Sequence, residues 1–306
     1  MINITTSSGE LSSTYKTIDI TNTARRLFEI PLRELLKRVI KWNPLEVHAW
    51  AFGFSLGDAS IDRAYLQTKR IDVETSRLGT LICFLTIFLL LATPPIKIRF
   101  YVRKDSRAKY KMRAYAKVSR ELLELLASRE FDKFNVFEED YMFRSFLAGI
   151  IDSDGSIQPY VKKRGKKNQR LYFEPEVCII NSNTKLLKEI QKQLFSRYSI
   201  RGNVVYAYTP GVYRLRINSL ESVYNFLKLT DNHLLNIERL PKAKVIQLYY
   251  KNKITMEELI KINKRLKDQN YKIHKILQSF ILTMNKNKLV LVVDENGKID
   301  INQATV

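Results

Sequence analysis

The sequence predicts an α+β chain in which one helix–hairpin–helix–hairpin–helix unit is used twice. Three observations carry this. Two apolar helical stretches, AFGFSLGDASI at 51–61 and FLAGIIDSDGSI at 146–157, both end in a small residue followed by Asp. Each is followed, in the same order, by a polar hairpin-like stretch, an apolar helix, a second alternating stretch, and then Ser with a Leu-rich helix, SRELLELL from Ser119 and SLESVYNFL from Ser219. The alternating stretches pair an apolar face with a basic one, the two-residue period of a half-buried strand.

Residues 1–45 read as an N-terminal extension. The opening MINITTSSGELSSTYK lacks a basic region followed by an apolar run, so no secretory signal is expected. Thr23 to Lys41 reads as an amphipathic basic helix interrupted by Pro31. The first repeat is placed at 46–140. Within it, Leu81 to Ala92 (LICFLTIFLLLA) is almost unbroken apolar sequence. A membrane-spanning helix needs roughly 20 such residues, and this run is closed by Pro94 and Pro95, so a helix buried on most sides is expected. From Ile96 to Arg103, Ile96, Ile98, Phe100 and Val102 alternate with Lys97, Arg99, Tyr101 and Arg103. After the turn Asp105-Ser106-Arg107, Met112, Ala114, Ala116 and Val118 alternate with Lys111, Arg113, Tyr115 and Lys117.

The second repeat is placed at 141–240. Tyr160 to Ile180 reads as a long hairpin whose tip holds Lys162, Lys163, Arg164, Lys166 and Lys167. A shorter hairpin around Pro210-Gly211 alternates Val205, Ala207, Leu215 and Ile217 with Tyr206, Tyr208, Arg214 and Arg216. Residues 241–306 read as a helical extension that ends in a small hairpin, LVLVVDENGKIDI. Both a cap on the second repeat and a small separate module fit that pattern.

The chain has 306 residues, 45% of them hydrophobic, with 52 Lys plus Arg against 31 Asp plus Glu, a formal net charge of +21. Length and composition permit a real core, and the charge predicts a polyanionic partner. Cys83 and Cys178 are the only cysteines and the three His are scattered, so neither a disulfide framework nor a zinc cluster is expected. A reducing, intracellular compartment follows as the expectation, with no membrane association.

Gly53 and Gly57 in the first motif, and Gly149 and Ser153 in the second, lie four apart and give each helix a small stripe along which two backbones can approach. Packing those stripes together brings Asp58 and Asp154 side by side. Two carboxylates so placed repel unless a cation sits between them. A hard divalent ion with retained waters, Mg2+ first, suits the pair, and metal there activates water and stabilises the leaving oxygen of a phosphodiester. The competing reading is that each Asp merely caps a helix end or begins a turn.

LAGIIDSDG at 147–155 resembles the signature of the LAGLIDADG homing endonuclease family, and FGFSLGDAS at 52–60 is a more divergent copy. The similarity in motif order runs over about residues 46–240. The resemblance implies pseudo-twofold αββαββα repeats, a saddle of two four-stranded sheets over the major groove, a long double-stranded DNA site, and Mg2+-dependent cleavage with Asp58 and Asp154 as metal ligands. DNA-contacting candidates are then Arg63, Gln67, Lys69, Arg70, Lys97, Arg99, Tyr101, Arg103, Lys111, Arg113 and Lys117 in the first repeat. In the second they are Lys162, Arg164, Lys166, Lys167, Arg170, Tyr206, Tyr208, Arg214 and Arg216. Active relatives often carry Lys or Gln near the end of the second strand of each repeat. Here those regions read Glu74-Thr75-Ser76 and Asn181-Ser182-Asn183, which motivates an alternative, an RNA-binding intron maturase on the same scaffold. A DNA-binding regulator that uses residues 241–306 ranks behind both. Two copies in one chain make a monomer the expected state.

Overall fold

The computed structural model describes residues 19–57, 59–60, 69–102, 110–128, 135–165, 170–207 and 209–303. The chain begins with α1 (Ile20–Ala24), a π turn (Arg25–Glu29) and α2 (Ile30–Val39). Pro31 sits in the first turn of α2. It has no N–H to give to the preceding turn, and the widened π turn is where the helix absorbs that loss.

The first repeat is α3 (Pro44–Ser55), β1 (Ala59–Ser60), β2 (Arg70–Thr75), α4 (Leu78–Leu91), β3 (Ala92–Val102), β4 (Tyr110–Val118) and α5 (Arg120–Ser128). The second is α6 (Asp140–Asp154), β5 (Gly155–Arg164), β6 (Arg170–Asn181), α7 (Thr184–Tyr198), β7 (Asn203–Tyr206), β8 (Tyr213–Ile217) and α8 (Leu220–Thr230). Both read αββαββα. Local chemistry sets the boundaries: Asn43 and Glu46 form a reciprocal capping box on α3, Asn183 caps α7 through the Leu186 N–H at 3.1 Å, and Ser199 ends α7 in the left-handed region at φ 54°.

Helix α4 is the apolar run, buried on nearly every side from Leu78 to Leu89. Among the described residues no helix is long and apolar enough to cross a membrane. On β3 and β4 the alternation is as read: Ile96, Ile98, Phe100, Met112, Ala114, Ala116 and Val118 are buried. Val102 is 38% exposed, because the strand outruns the core at that end.

The second sheet has four strands in the order β5-β6-β8-β7. The first departs from expectation in having six, β1-β2-β4-β3-β9-β10. After α9 (Leu240–Tyr250) and the 31-residue α10 (Met256–Lys286), the hairpin β9 (Leu289–Val293) and β10 (Ile299–Gln303) returns to the first repeat and pairs antiparallel with β3, Ile96 opposite Val293 and Ile98 opposite Leu291. Residues 241–303 are therefore neither a cap confined to the second repeat nor a separate module. The rings of Phe28, Phe100 and Phe280 meet at centroid distances of 5.5 to 6.4 Å and join the N-terminal helix, β3 and α10. Phe280 is fully buried, so Phe280→Ala is expected to cost about 3–5 kcal/mol. Urea unfolding would show it as one cooperative transition at lower midpoint; an early separate transition of the C-terminal segment would contradict the shared core.

Between the repeats, the segment 231–239 forms a polar clasp. The Trp50 Nε1–H donates to the His233 carbonyl at 3.2 Å, His233 Nε2 lies 2.9 Å from Glu46 Oε1, and Arg38 donates to the carbonyls of Asp231 and Asn232. Burial pulls the His233 pKa below its ordinary value despite the Glu46 carboxylate. A base held neutral in the fold adds stability that is present above about pH 6.5 and is lost on acidification. Asp152 titrates with the opposite sign, as its site shows below. The stability difference between the parent and His233→Gln is therefore the measurement, and it is expected to shrink from pH 7 to pH 5.5; a constant difference would refute the assignment.

Candidate nucleic-acid interface

The two motif helices cross at their glycines. A Cβ on Gly53 would lie 2.3 Å from the Phe146 carbonyl oxygen, and one on Gly149 would lie 2.1 Å from that of Trp50. The contact is reciprocal, since each glycine meets the carbonyl three residues before the other glycine. One turn on, a Cβ on Gly57 would lie 2.5 Å from Ser153 Oγ and 2.8 Å from the Asp154 carboxyl group. All four predicted interface residues, Gly53, Gly57, Gly149 and Ser153, thus lie at the crossing. The turn that ends the first motif rests on the acid that ends the second.

Asp154 is half-buried and opens onto a hollow of about 380 Å³, lined also by Leu56, Ile180, Asn181, Ser182, Asn183, Leu186 and Val212. Asp58, the other predicted acid, lies outside the described residues, as do Arg63, Gln67, Arg103, Lys166, Lys167 and Tyr208.

Sequence reasoning missed what holds the end of α6. The Leu235 N–H donates to Asp152 Oδ2 at 2.6 Å, Asn236 Nδ2 to the Asp152 carbonyl at 3.3 Å, and Arg239 Nη2 to the Ser153 carbonyl at 2.9 Å. The last two donors occupy last-turn carbonyls that a helix end otherwise leaves open. Asp152 is fully buried, and burial pushes its pKa up to about 7 against the pull of Arg239 and the backbone N–H donors. A carboxyl raised in this way favours the fold at low pH and loses that contribution as pH rises toward 7. Nothing local in the sequence ties 235–239 to residue 152.

The outer face of the first sheet collects Arg70, Lys97, Arg99, Tyr101, Lys111, Arg113 and Lys117, all opposite the core: Arg70 faces Lys117, Arg99 faces Arg113, and Tyr101 faces Lys111 across paired strands. Lys69 sits in the turn before β2 at φ 51°. The face is less uniformly basic than read. Asp72 accepts from Arg113 at 2.8 Å and Glu74 from Lys111 at 2.9 Å. Tyr115 lies at the centre, with the Arg70 guanidinium 4.2 Å and that of Arg99 5.6 Å from its ring centroid.

On the second sheet, Lys162, Arg164, Arg170, Arg214 and Arg216 share the outer face. Acids again interleave: Glu174 holds Lys162 at 2.7 Å and also Arg164, while Glu176 holds Arg216. Tyr206 is a correction. Val205 is directly opposite Arg214 and Tyr206 opposite Tyr213, and opposed residues of an antiparallel pair share a face. Tyr206 therefore lies on the side away from the basic row, where its hydroxyl accepts the Gly211 N–H at 3.0 Å and braces the turn.

A twofold-repeated αββαββα chain with an acid beside a glycine-packed helix pair defines a pseudo-dimeric, two-motif architecture. Residues 143–230, within the second repeat, match the family model described as a LAGLIDADG-like domain. No curated protein sequence matches the chain. Among solved structures the chain is similar to full-length DUF199/WhiA from Thermatoga maritima at 16% identity, covering 85% of this chain and 98% of that one with a TM-score of 0.45. It is also similar to the homing endonuclease I-WcaI bound to its DNA recognition sequence, at 13% identity, 69% and 91% coverage and a TM-score of 0.46. A third is the meganuclease I-SmaMI bound to uncleavable DNA, at 13% identity, 72% and 97% coverage and a TM-score of 0.45. With likeness this low, the reading of function rests on the chain's own residues.

Proposed function

We propose that the chain is a site-specific endonuclease for double-stranded DNA, Mg2+-dependent and intron-encoded, acting as a monomer. The observation that carries this is the helix crossing, which sets the Gly57 turn against the Asp154 carboxyl group. Asp58 is the next residue in sequence. The cationic rows of the two sheets supply phosphate and guanine-edge contacts, from Lys97, Arg99, Arg70, Arg214 and their neighbours.

The donor that suits a hard divalent ion is the Asp154 carboxylate, which opens onto the hollow; the side-chain oxygens of Asn181 and Asn183 there already accept the Asn183 and Leu186 N–H groups. Among the described residues no group of three His, Cys, Asp or Glu side chains forms a denser cage. One or two carboxylates with water and substrate phosphate making up the remainder is the pattern Mg2+ accepts. Asp58 and Asp154 would hold it, and bound metal would supply an activated water and charge stabilisation at the scissile phosphate. The chain's own part is to fix Asp154: Arg239 and Asn236 hold the helix end, and the glycine crossing fixes its distance from the first motif.

A second reading is favoured by one feature of the hollow, whose described lining contains no Lys or Arg. An intron RNA-binding maturase with little or no cleavage fits that lining. The test is incubation of the purified protein with the intronless allele of its host gene, with Mg2+ or EDTA, beside the Asp58→Asn Asp154→Asn variant. Metal- and acid-dependent cutting at one site is expected; tight binding without cutting, together with intron splicing that ignores both acids, would hand the function to the maturase.

A further inference from the structure

Helix α10 is 31 residues long, about 46 Å at the usual rise, and it is anchored only toward its ends. Near its start, Leu259 is buried and Asn263 donates to the Pro159 carbonyl of β5 in the second sheet at 2.9 Å. Near its end, Leu277, Phe280, Ile281 and Met284 are buried, with Phe280 against Phe100 of β3 in the first sheet. The helix therefore runs from one sheet to the other. Between the anchors, residues 271–276 are exposed all round.

The exposed face of the helix is mostly cationic, with exposed Asp268 among its cations. Lys261, Lys264, Arg265, Lys272 and Lys275 are all exposed, and their successive spacings of three, one, seven and three residues keep them on one helical face, opposite the stripe of Leu259, Leu266, Ile273 and Leu277. Asp268 is the single acid between 259 and 276. None of the five cations enters an ion pair among the described residues. Exposed Tyr271, under the Lys275 ammonium at 4.7 Å from its ring centroid, adds an aromatic surface.

Beside the start of the helix, burial lowers the pKa of Lys242 on α9; the Glu238 carboxylate opposes that shift, and Arg239, Arg77 at the start of α4 and Lys267 on the flank of α10 reinforce it. Lys242 Nζ is 3.4 Å from Gln158 Oε1 on β5, whose side chain shares the outer face with Tyr160 and Lys162. Five exposed cations along one helical face, with Asp268 as the single acid among them, suit an extended anion.

We infer that the exposed face of α10 is a second nucleic-acid contact, a phosphate-backbone track separate from the sheet faces. A second copy of this chain is disfavoured as occupant by a net charge of +21 on each partner. The inference rests on duplex binding by the chain, and adds to it a surface that carries no base readout.

The test is fluorescence anisotropy of the full chain with a host-locus duplex and a scrambled duplex, over a range of salt. Lys264→Gln Arg265→Gln Lys272→Gln is compared with Lys185→Gln Lys188→Gln Lys192→Gln, an equal charge change on the exposed face of α7. Each lost phosphate contact lowers the slope of log K against log salt by about 0.9. The α10 variant is expected to lose about 2 to 3 from that slope and at least about tenfold in affinity at 0.15 M salt, equally for both duplexes. An unchanged slope, an equal loss in the α7 variant, or loss of binding to phosphatidylserine vesicles with duplex binding intact would each overturn it. The sheet reading fails separately: Lys97→Gln Arg99→Gln without effect on duplex affinity would remove the sheets and leave the helix.

Discussion

Gly149→Ala is expected to lower the stability of the protein by at least about 2 kcal/mol in urea unfolding followed by circular dichroism. Two effects oppose each other. Alanine in a helix interior gains about 1 kcal/mol over glycine from backbone propensity, while overpacking a tight core costs about 1–3 kcal/mol and more where nothing can move. Here the obstructing atom is the Trp50 carbonyl oxygen, 2.1 Å from the new Cβ, with the Phe54 backbone N at 3.1 Å. Backbone cannot rotate aside, so the helices have to separate along the crossing, where Trp50 stacks on Phe54 and Phe54 packs at a tilt against Phe84. The steric term wins. Gly53→Ala should behave alike, because it meets the Phe146 carbonyl at 2.3 Å. Gly57→Ala meets the ends of the Ser153 and Asp154 side chains instead. It should fold nearly normally and impair cleavage more than stability, because the group it displaces is the acid. A Gly149→Ala protein as stable as its parent would show that the helices do not cross as described.

How far the sequence carried can be argued from individual residues. The helix pair was legible because two small residues and an acid recur at the same spacing in two places, and such a stripe lets two helix backbones approach closely. The β3–β4 hairpin was legible because burial on one face leaves a strict two-residue alternation. The face of β7 was not: Val204 and Val205 are consecutive valines on an edge strand, so either parity satisfies the hydrophobic pattern, and only the pairing of Val205 with Arg214 decides. Asp72, Glu74, Glu174 and Glu176 were visible in RIDVET and FEPEV, yet their effect on the basic rows depends on cross-strand partners that no local pattern specifies. The return of β9 to β3 joins residues far apart in the chain. Its one trace in the sequence was LVLVV, too continuously apolar for a strand with a solvated face.

Asp154→Asn, at the proposed centre, is expected to reduce strand cleavage at least about a hundredfold with duplex affinity unchanged within a few fold. Residues that merely orient a metal ligand typically contribute 10- to 100-fold, and loss of a ligand itself should cost no less. Asparagine keeps the shape of the side chain, so the Gly57 contact and the helix end held by Arg239 and Asn236 persist, while the negative charge that would hold the ion is gone. Affinity should survive because phosphate contacts dominate it, and the proposed ones come from Lys97, Arg99, Arg214 and the other face cations rather than from Asp154. A separate measurement isolates the charge. If Asp154 holds metal, raising Mg2+ should restore part of the activity lost in Asp154→Glu but none of that lost in Asp154→Asn. Equal cleavage by parent and Asp154→Asn would sink the assignment and leave Asp154 as the end of a well-packed helix.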